Sequence, residues 1–221
     1  VFFLYPLFST ILMSFQSITG SGTTWIGWKN YTDMFSNKNF YTAVENSLIY
    51  MALTCALLIP FPLLFAYMLN SKSMKLAGAF KTISFMPVLC SVVVAGIVFR
   101  MMFSELPGAL MNQALTLFGG KPIAWLKYNR WTAMFAMVLL CCWRWTGMNI
   151  LYYMAGLKSI PAELYEAAEI GGAGAVQKFL HVGWPLLQPT TIYVLTISLS
   201  AGFSLFTDSL MVSGSNNSPK N

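Results

Sequence analysis

The chain has 221 residues, 57% of them hydrophobic, 15% aromatic and only 9% charged. A soluble domain carries about 25% charged residues, so this composition excludes an ordinary soluble protein and makes lipid part of the solvent. The net charge of +6 comes from Lys and Arg residues scattered singly between apolar runs; with no basic stripe, nucleic acid is excluded as a partner and the cations read as interfacial anchors and loop charges.

The chain opens inside an apolar run, VFFLYPLFSTILMSF, without a Met, and closes in a polar stretch, SGSNNSPKN. We expect both ends to be cut from a longer chain. No basic n-region or small-residue cleavage site accompanies the opening run, so a signal peptide is not expected. A membrane-spanning helix needs about 20 mostly apolar residues. Five segments meet or approach that length, at about 1–17, 44–69, 80–103, 131–157 and 190–212. Pro60 and Pro62 fall in the second and Pro87 in the third. Membrane helices tolerate such kinks where neighbours satisfy the freed carbonyls, and we read these as shape adjustments.

Five spans place the connections on two sides. Side A holds 70–79 and 158–188; side B holds 19–43, 104–130 and the C-terminal tail. Basic residues occur on both sides, so counting them does not fix the orientation; the acid-free Lys72–Lys81 turn tips only slightly toward side A as cytoplasmic. Side B is rich in Trp, with Trp25, Trp28, Trp125 and Trp131 suited to a membrane interface. Cys55, Cys90, Cys141 and Cys142 lie inside apolar runs and form no CxxC pair, so they read as small packed hydrophobes rather than as disulfides or metal ligands.

Within the fourth span, CCWRWTGMN places Arg144 at membrane depth. A charge there faces a cavity or a partner. One reading has Trp143 and Trp145 stacking on a sugar ring while Arg144 bonds its hydroxyls. The other has Arg144 stabilising helix packing against carbonyls or an acid such as Asp208. Asn149 and Asp208 are further candidates for a transport path.

Between the fourth and fifth spans lies a charged, glycine-broken stretch. Ser159-Ile-Pro161 reads as a helix start, with Ser at the N-cap and Glu163 in the first turn. Glu163, Glu166 and Glu169 step by three along one broad face, away from the small Ala167, Ala168 and Gly171. Gly171-Gly172 breaks the helix. A second, interfacial amphipathic helix is expected from Ala173, with Val176, Phe179, Leu180 and Gly183 on one side. The spacing predicts helix, glycine elbow, helix at the membrane surface. By itself it leaves open whether a partner docks there or the loop is merely solvated.

EAAEIGGAGAVQKFLHVGWPLLQP resembles the EAA loop of the inner-membrane permease subunits of bacterial binding-protein-dependent ABC importers. Glu166, Ala167, Ala168, Gly172, Ala173, Phe179, Pro185 and Pro189 match the family pattern at the right spacing, with Val182 for Ile and Trp184 for Leu. Gly171 stands where the family usually has Asp. WRWTGMNILYYMAGLKSIPAELYEAA, YPLFSTILMSF and GWKNYTDMF are similar to the carbohydrate-uptake branch, the maltose, lactose and glycerol-phosphate type.

The resemblance implies an all-α integral membrane protein, a polytopic helical bundle of the type-I importer kind. It would form a single permease domain over 1–221, with a sixth span following residue 221. It implies a multi-pass protein of the bacterial plasma membrane. Its partners would be a dimer of ATP-binding cassette ATPases holding ATP and Mg, a second permease subunit, an extracytoplasmic sugar-binding protein and membrane lipid. The 158–188 loop would be cytoplasmic and would couple to the ATPase through a helix-in-groove contact. In it Glu166 would be the polar anchor, beside Glu169; Ala167 and Ala168 the close-packed face; and Gly172 the elbow. The chain has no phosphate-binding G-x-x-x-x-G-K-[ST] loop and no set of nucleophile, base and orienter, and His181 is its only histidine. We therefore expect no enzyme activity, cofactor or metal in this chain. The competing class is a standalone secondary transporter or channel, which would need intramembrane acids beside broken helices; Asp208 is the one clear acid deep in a span.

Overall fold

A computed structural model describes residues 4–20, 22–70 and 77–203. The chain divides into two units, Val1–Leu48 and Ile49–Asn221. In the first, helix α1 (Leu4–Ser14) leads into a hairpin of strands β1 (Gln16–Thr19) and β2 (Gly22–Trp25). The strands pair antiparallel, Gln16 opposite Trp25 and Thr19 opposite Gly22. Gly22, at φ +140°, supplies backbone freedom at the reversal. Phe15 stacks on Trp25 at 5.7 Å and meets the edge of Trp28 at 5.1 Å. Asn30 Nδ2, in α2 (Lys29–Ser36), donates to the carbonyls of Ser14 and Gln16 at 2.8 and 3.1 Å. This hairpin is not anticipated by the sequence pattern, because its strands are four residues long and its turn is too polar to show an alternation.

Helix α3 (Lys38–Leu58) continues into α4 (Pro60–Leu69) through Ile59. Pro62 lacks an N–H, so the carbonyl of Leu58 loses its usual donor. The buried Asn149 replaces that donor, with Nδ2 at 3.1 Å from the Leu58 oxygen. That bond satisfies the carbonyl that Pro62 frees, and the second span, Lys38–Leu69, is long and apolar enough to cross a membrane despite its two prolines.

The third span is not one kinked helix. It is α5 (Ala77–Leu89) and α6 (Val92–Met102), bent by 96° at Cys90–Ser91. Pro87 withdraws a donor from α5. Cys90 N–H then turns back to the Pro87 carbonyl at 3.1 Å, and Ser91 adopts an extended conformation (φ −55°, ψ 136°) that ends the helix. The Ser91 carbonyl accepts from Ala95 and starts α6.

On side B the chain folds into α7 (Leu110–Leu117) and the short α8 (Trp125–Tyr128). Asn112 organises that loop. It is fully buried. Its Nδ2 donates toward the carbonyls of Ser104, Leu106 and Ile123 at 3.1–3.2 Å. Its Oδ1 accepts from Ile123 N–H at 3.1 Å and Trp125 Nε1–H at 2.8 Å.

The longest helix is α9 (Arg130–Lys158), 29 residues, about 43 Å at about 1.5 Å per residue. It starts at a capping box: Asn129 Oδ1 accepts from Thr132 N–H at 2.9 Å, and Thr132 Oγ1 accepts from Asn129 N–H at 3.4 Å. Three buried clusters line it. Leu63, Ala66 and Leu69 of α4 meet Ile150, Tyr153, Met154 and Leu157. Phe99 and Phe103 meet Ala136 and Leu140. Tyr50 meets Met134 and Val138.

In lipid, apolar side chains gain little by leaving the solvent, so close helix contact rests on small residues. Gly147 is such a point: a Cβ there would overlap the Ser84 carbonyl of α5 and lie 2.8 Å from Phe85 N. Among the described residues the second and fourth spans, Lys38–Leu69 and Arg130–Lys158, are each long and apolar enough to cross a membrane, and the bent pair makes a third only if its two helices form one broken span. Of the first and fifth expected spans, 11 and 16 helical residues are described; residues 204–212 lie outside the described part.

Candidate coupling segment and cavities

After α9 come α10 (Ala162–Ile170), α11 (Ala175–Lys178), a π-helical turn (Phe179–Gly183), α12 (Trp184–Leu186) and α13 (Gln188–Phe203). Ser159 is not the N-cap of α10. It is the C-cap of α9, its Oγ donating to the Gly156 carbonyl at 2.8 Å. Pro161 takes the N-cap place, at φ −56° and ψ 132°, without a side-chain bond. The reason is that α9 runs to Lys158, the full length of its apolar pattern, and takes Ser159 as its own C-cap. Ile160 is buried in the α4–α9 cluster and ties the start of the segment to the bundle.

Along α10, Glu163, Glu166, Glu169 and Ala167 are exposed, while Ala168 is half-buried. The helix ends in a Schellman motif. Ala173 N–H reaches the Ala168 carbonyl at 2.9 Å, and Gly172 N–H the Glu169 carbonyl at 2.9 Å. That motif needs a left-handed residue after the C-cap, and Gly172 provides it at φ +80°. Gly171 is the C-cap at φ −70°, and a Cβ there would meet only the Ala168 and Ala167 carbonyls at 3.4 and 3.6 Å. An aspartate therefore fits that position without backbone strain. Lys178 Nζ reaches back to Glu169 at 3.1 Å. Glu169 is largely exposed in that pair, so it orients the two limbs more than it stabilises them.

The expected amphipathic helix from Ala173 is shorter than its pattern. Ala173 and Gly174 are non-helical, α11 has four residues, and the π turn follows. The wider π register leaves Phe179 half-buried and Gly183 buried, while Val176 and Leu180 are 70% and 52% exposed. Pro185 lies in the first turn of α12, the place where a missing N–H matters least, and is exposed. Leu187 is fully buried in the α4–α9 cluster.

A side chain with no distinguishing motif in the sequence holds this segment from the membrane side. Tyr67 of α4 donates its hydroxyl to the Ala175 carbonyl at 3.1 Å, and its ring lies 4.7 Å from that of Phe179. Tyr165 packs beside them; burial first, and then the Tyr67 phenol, push its pKa above the usual tyrosine value. The available signal was a tyrosine near the side-A end of an otherwise apolar span.

The candidates in the fourth span divide between two cavities. Trp143 lines an apolar groove of about 420 Å3 with Cys90, Val94, Phe99 and Leu139. Trp145 and Asn149 line a separate cavity of about 50 Å3 with Tyr50, Thr54 and Ser198. Arg144 is half-buried, its guanidinium 5.7 Å from the Trp145 ring centre. Trp143 and Trp145 thus line different surfaces of α9, as expected where successive helix positions diverge by about 100°. Asp208 lies outside the described residues. Among the described residues no group of His, Cys, Asp or Glu is placed to hold a metal.

Residues 58–215 match the family described as binding-protein-dependent transport system inner membrane component. The chain belongs to that family, and is thus an integral inner-membrane subunit. It is 49% identical over 221 residues to the arabinooligosaccharides transport system permease protein AraP of Bacillus subtilis (strain 168), covering all of this chain and 70% of that protein. It is 31% identical over 207 residues to the lactose transport system permease protein LacF of Rhizobium radiobacter, covering 93% and 69%. Its fold is similar to a chain in the crystal structure of a bacterial ABC transporter involved in importing the acidic polysaccharide alginate. There the TM-score is 0.77 at 25% identity, with 95% and 74% of the two chains covered.

Proposed function

We propose that this chain is the membrane-spanning subunit of an ATP-driven oligosaccharide importer, with arabino-oligosaccharides as its substrate class. Residues 158–188 face the cytoplasm and dock on a separate ATPase. ATP hydrolysis belongs to that partner, and an extracytoplasmic binding protein delivers the sugar to side B. A second permease subunit completes the path. This chain performs no covalent chemistry; its work is to change which side of the membrane the path opens to.

The observation that carries the reading is the geometry of 162–187. Exposed carboxylates and the small Ala167 stand on a nine-residue helix, closed by a Schellman turn. Ile160 and Leu187, on either flank, are buried against α4 and α9. A solvated loop needs no such anchoring at both ends, whereas an element that receives a force does. The substrate class rests on the 49% identity with AraP across the whole chain.

The test is uptake of labelled arabinotriose by cells carrying the full-length permease, the second permease, the binding protein and the ATPase. Uptake should disappear when any one of the four is omitted. Unlabelled arabino-oligosaccharide should compete with it and lactose should not. Uptake that survives without the ATPase would favour a secondary transporter instead.

A further inference from the structure

We propose that Tyr67 is a positioning residue for transport: it passes movement of the 162–187 segment to the second membrane span. The inference rests on the reading of that segment as the ATPase-docking element. Its basis is the way the segment is held. Tyr67 grips it in two directions at once. The hydroxyl bonds the Ala175 carbonyl at the start of α11 at 3.1 Å, and the ring lies across Phe179 at the start of the π turn, at 4.7 Å and 59°. A push along the segment and a push across it therefore both reach the same side chain.

The packing around this grip leaves little slack. Gly183 is buried, and a Cβ there would come within 3.4 Å of the Tyr165 hydroxyl and 3.7 Å of the Tyr67 and Phe179 rings. The Tyr165 hydroxyl is itself buried without a hydrogen bond. Three aromatic rings from α4, α10 and the π turn thus close on one glycine, and the segment moves on α4 only if Tyr67 moves with it.

The helix that Tyr67 belongs to is built as a short lever. Leu63, Ala66 and Leu69 keep α4 against α9 along one face. Its other end is the joint at Ile59–Pro60, where Pro60 and Pro62 have removed two donors from the helix ladder. Only seven residues separate Tyr67 from that joint, about 10 Å of helix at about 1.5 Å per residue. Bending is easiest where ladder bonds are missing, so a displacement at Tyr67 turns α4 about Pro60. Asn149 holds the freed Leu58 carbonyl there, so the turning stays registered to α9.

The experiment uses the complete transporter, with both permeases, the ATPase and the binding protein, reconstituted in liposomes. Sugar transported and ATP hydrolysed are measured together. Tyr67→Phe keeps the ring and removes the hydroxyl. It should lower sugar transported per ATP about fivefold, the size of one hydrogen bond worth about 1 kcal/mol. Tyr67→Ala removes both contacts and should lower the ratio by more than about tenfold, while basal ATP hydrolysis continues. In both variants a cysteine at position 167 should still cross-link to the ATPase at wild-type yield, since docking itself is intact.

A wild-type ratio in Tyr67→Phe and Tyr67→Ala, with that cross-link present, overturns the proposal and leaves the docking reading standing. A parallel fall of both rates at constant ratio marks a merely structural residue and also overturns it. Absence of the cross-link in the wild-type background rejects the docking reading, and the proposal with it. Should Tyr67→Ala fail to assemble, Tyr67→Phe decides alone, by whether its ratio falls.

Discussion

Gly147→Val should unseat α5 from α9 and lower the melting temperature of the detergent-solubilised complex by roughly 10 °C. Gly147 is buried, and what lies against it is backbone: the Ser84 carbonyl, overlapped by any Cβ, and Phe85 N at 2.8 Å. Replacing a mid-helix glycine ordinarily gains up to about 1 kcal/mol for a better helix former. Overpacking a tight contact costs about 1–3 kcal/mol or more, and here no rotamer change relieves it because the obstructing atoms are main chain. The loss therefore wins, at roughly 3 kcal/mol or above, and each kcal/mol is worth about 2–4 °C in a chain of this size.

Gly156 supplies the internal comparison. A Cβ there meets the Thr190 Oγ1 and the Leu187 Cδ2, both ends of side chains that can rotate. Gly156→Ala should be the milder change and Gly147→Ala the more severe. Equal melting curves for Gly147→Val and wild type, or a reversed order of the two alanine variants, would contradict this packing.

The second large effect concerns Asn112. Asn112→Leu keeps the volume but strands the carbonyls of Ser104, Leu106 and Ile123, the Ile123 N–H and the Trp125 indole N–H. A buried group left without its partner costs about 1–3 kcal/mol. Five such groups exceed what a short loop can carry, so water enters and the loop opens while the helices hold. The readout is local: trypsin added from side B should cut after Lys127 at least about tenfold faster, with the global melting temperature little changed. Asn112→Asp should behave no better, because it retains the acceptor but turns an anion toward three carbonyls. Unchanged cleavage in Asn112→Leu would show that the loop is held by other contacts, such as Trp125 against Phe103 at 5.7 Å.

Much of this was legible in the sequence because it depends on composition over long windows. The second and fourth spans follow from apolar length, and the break at Gly171-Gly172 from the poor helix propensity of glycine. The departures have local causes. The break at Cys90–Ser91 takes an extended Ser91 after Pro87, and a proline in an apolar run predicts a kink equally well. Ser159 offered an N-cap, but a competing helix end claimed it. The roles of Asn112, Asn149 and Tyr67 come from partners 11, 91 and 108 residues away in sequence, a distance over which no pattern is visible. The two tryptophans beside Arg144 illustrate the converse, since adjacency in sequence places neighbours on different sides of a helix.

The central claim, that 162–187 receives the ATPase stroke, is tested most directly by a single cysteine at Ala167. That residue is exposed on α10. The background is the full-length protein with Cys55, Cys90, Cys141 and Cys142 replaced, assembled with its ATPase and second permease. Cysteines are placed around the groove of the ATPase and disulfide formation is followed with and without ATP. The account predicts cross-links whose yield changes when ATP is added. No cross-link at any groove position, in a complex that still assembles, would contradict it.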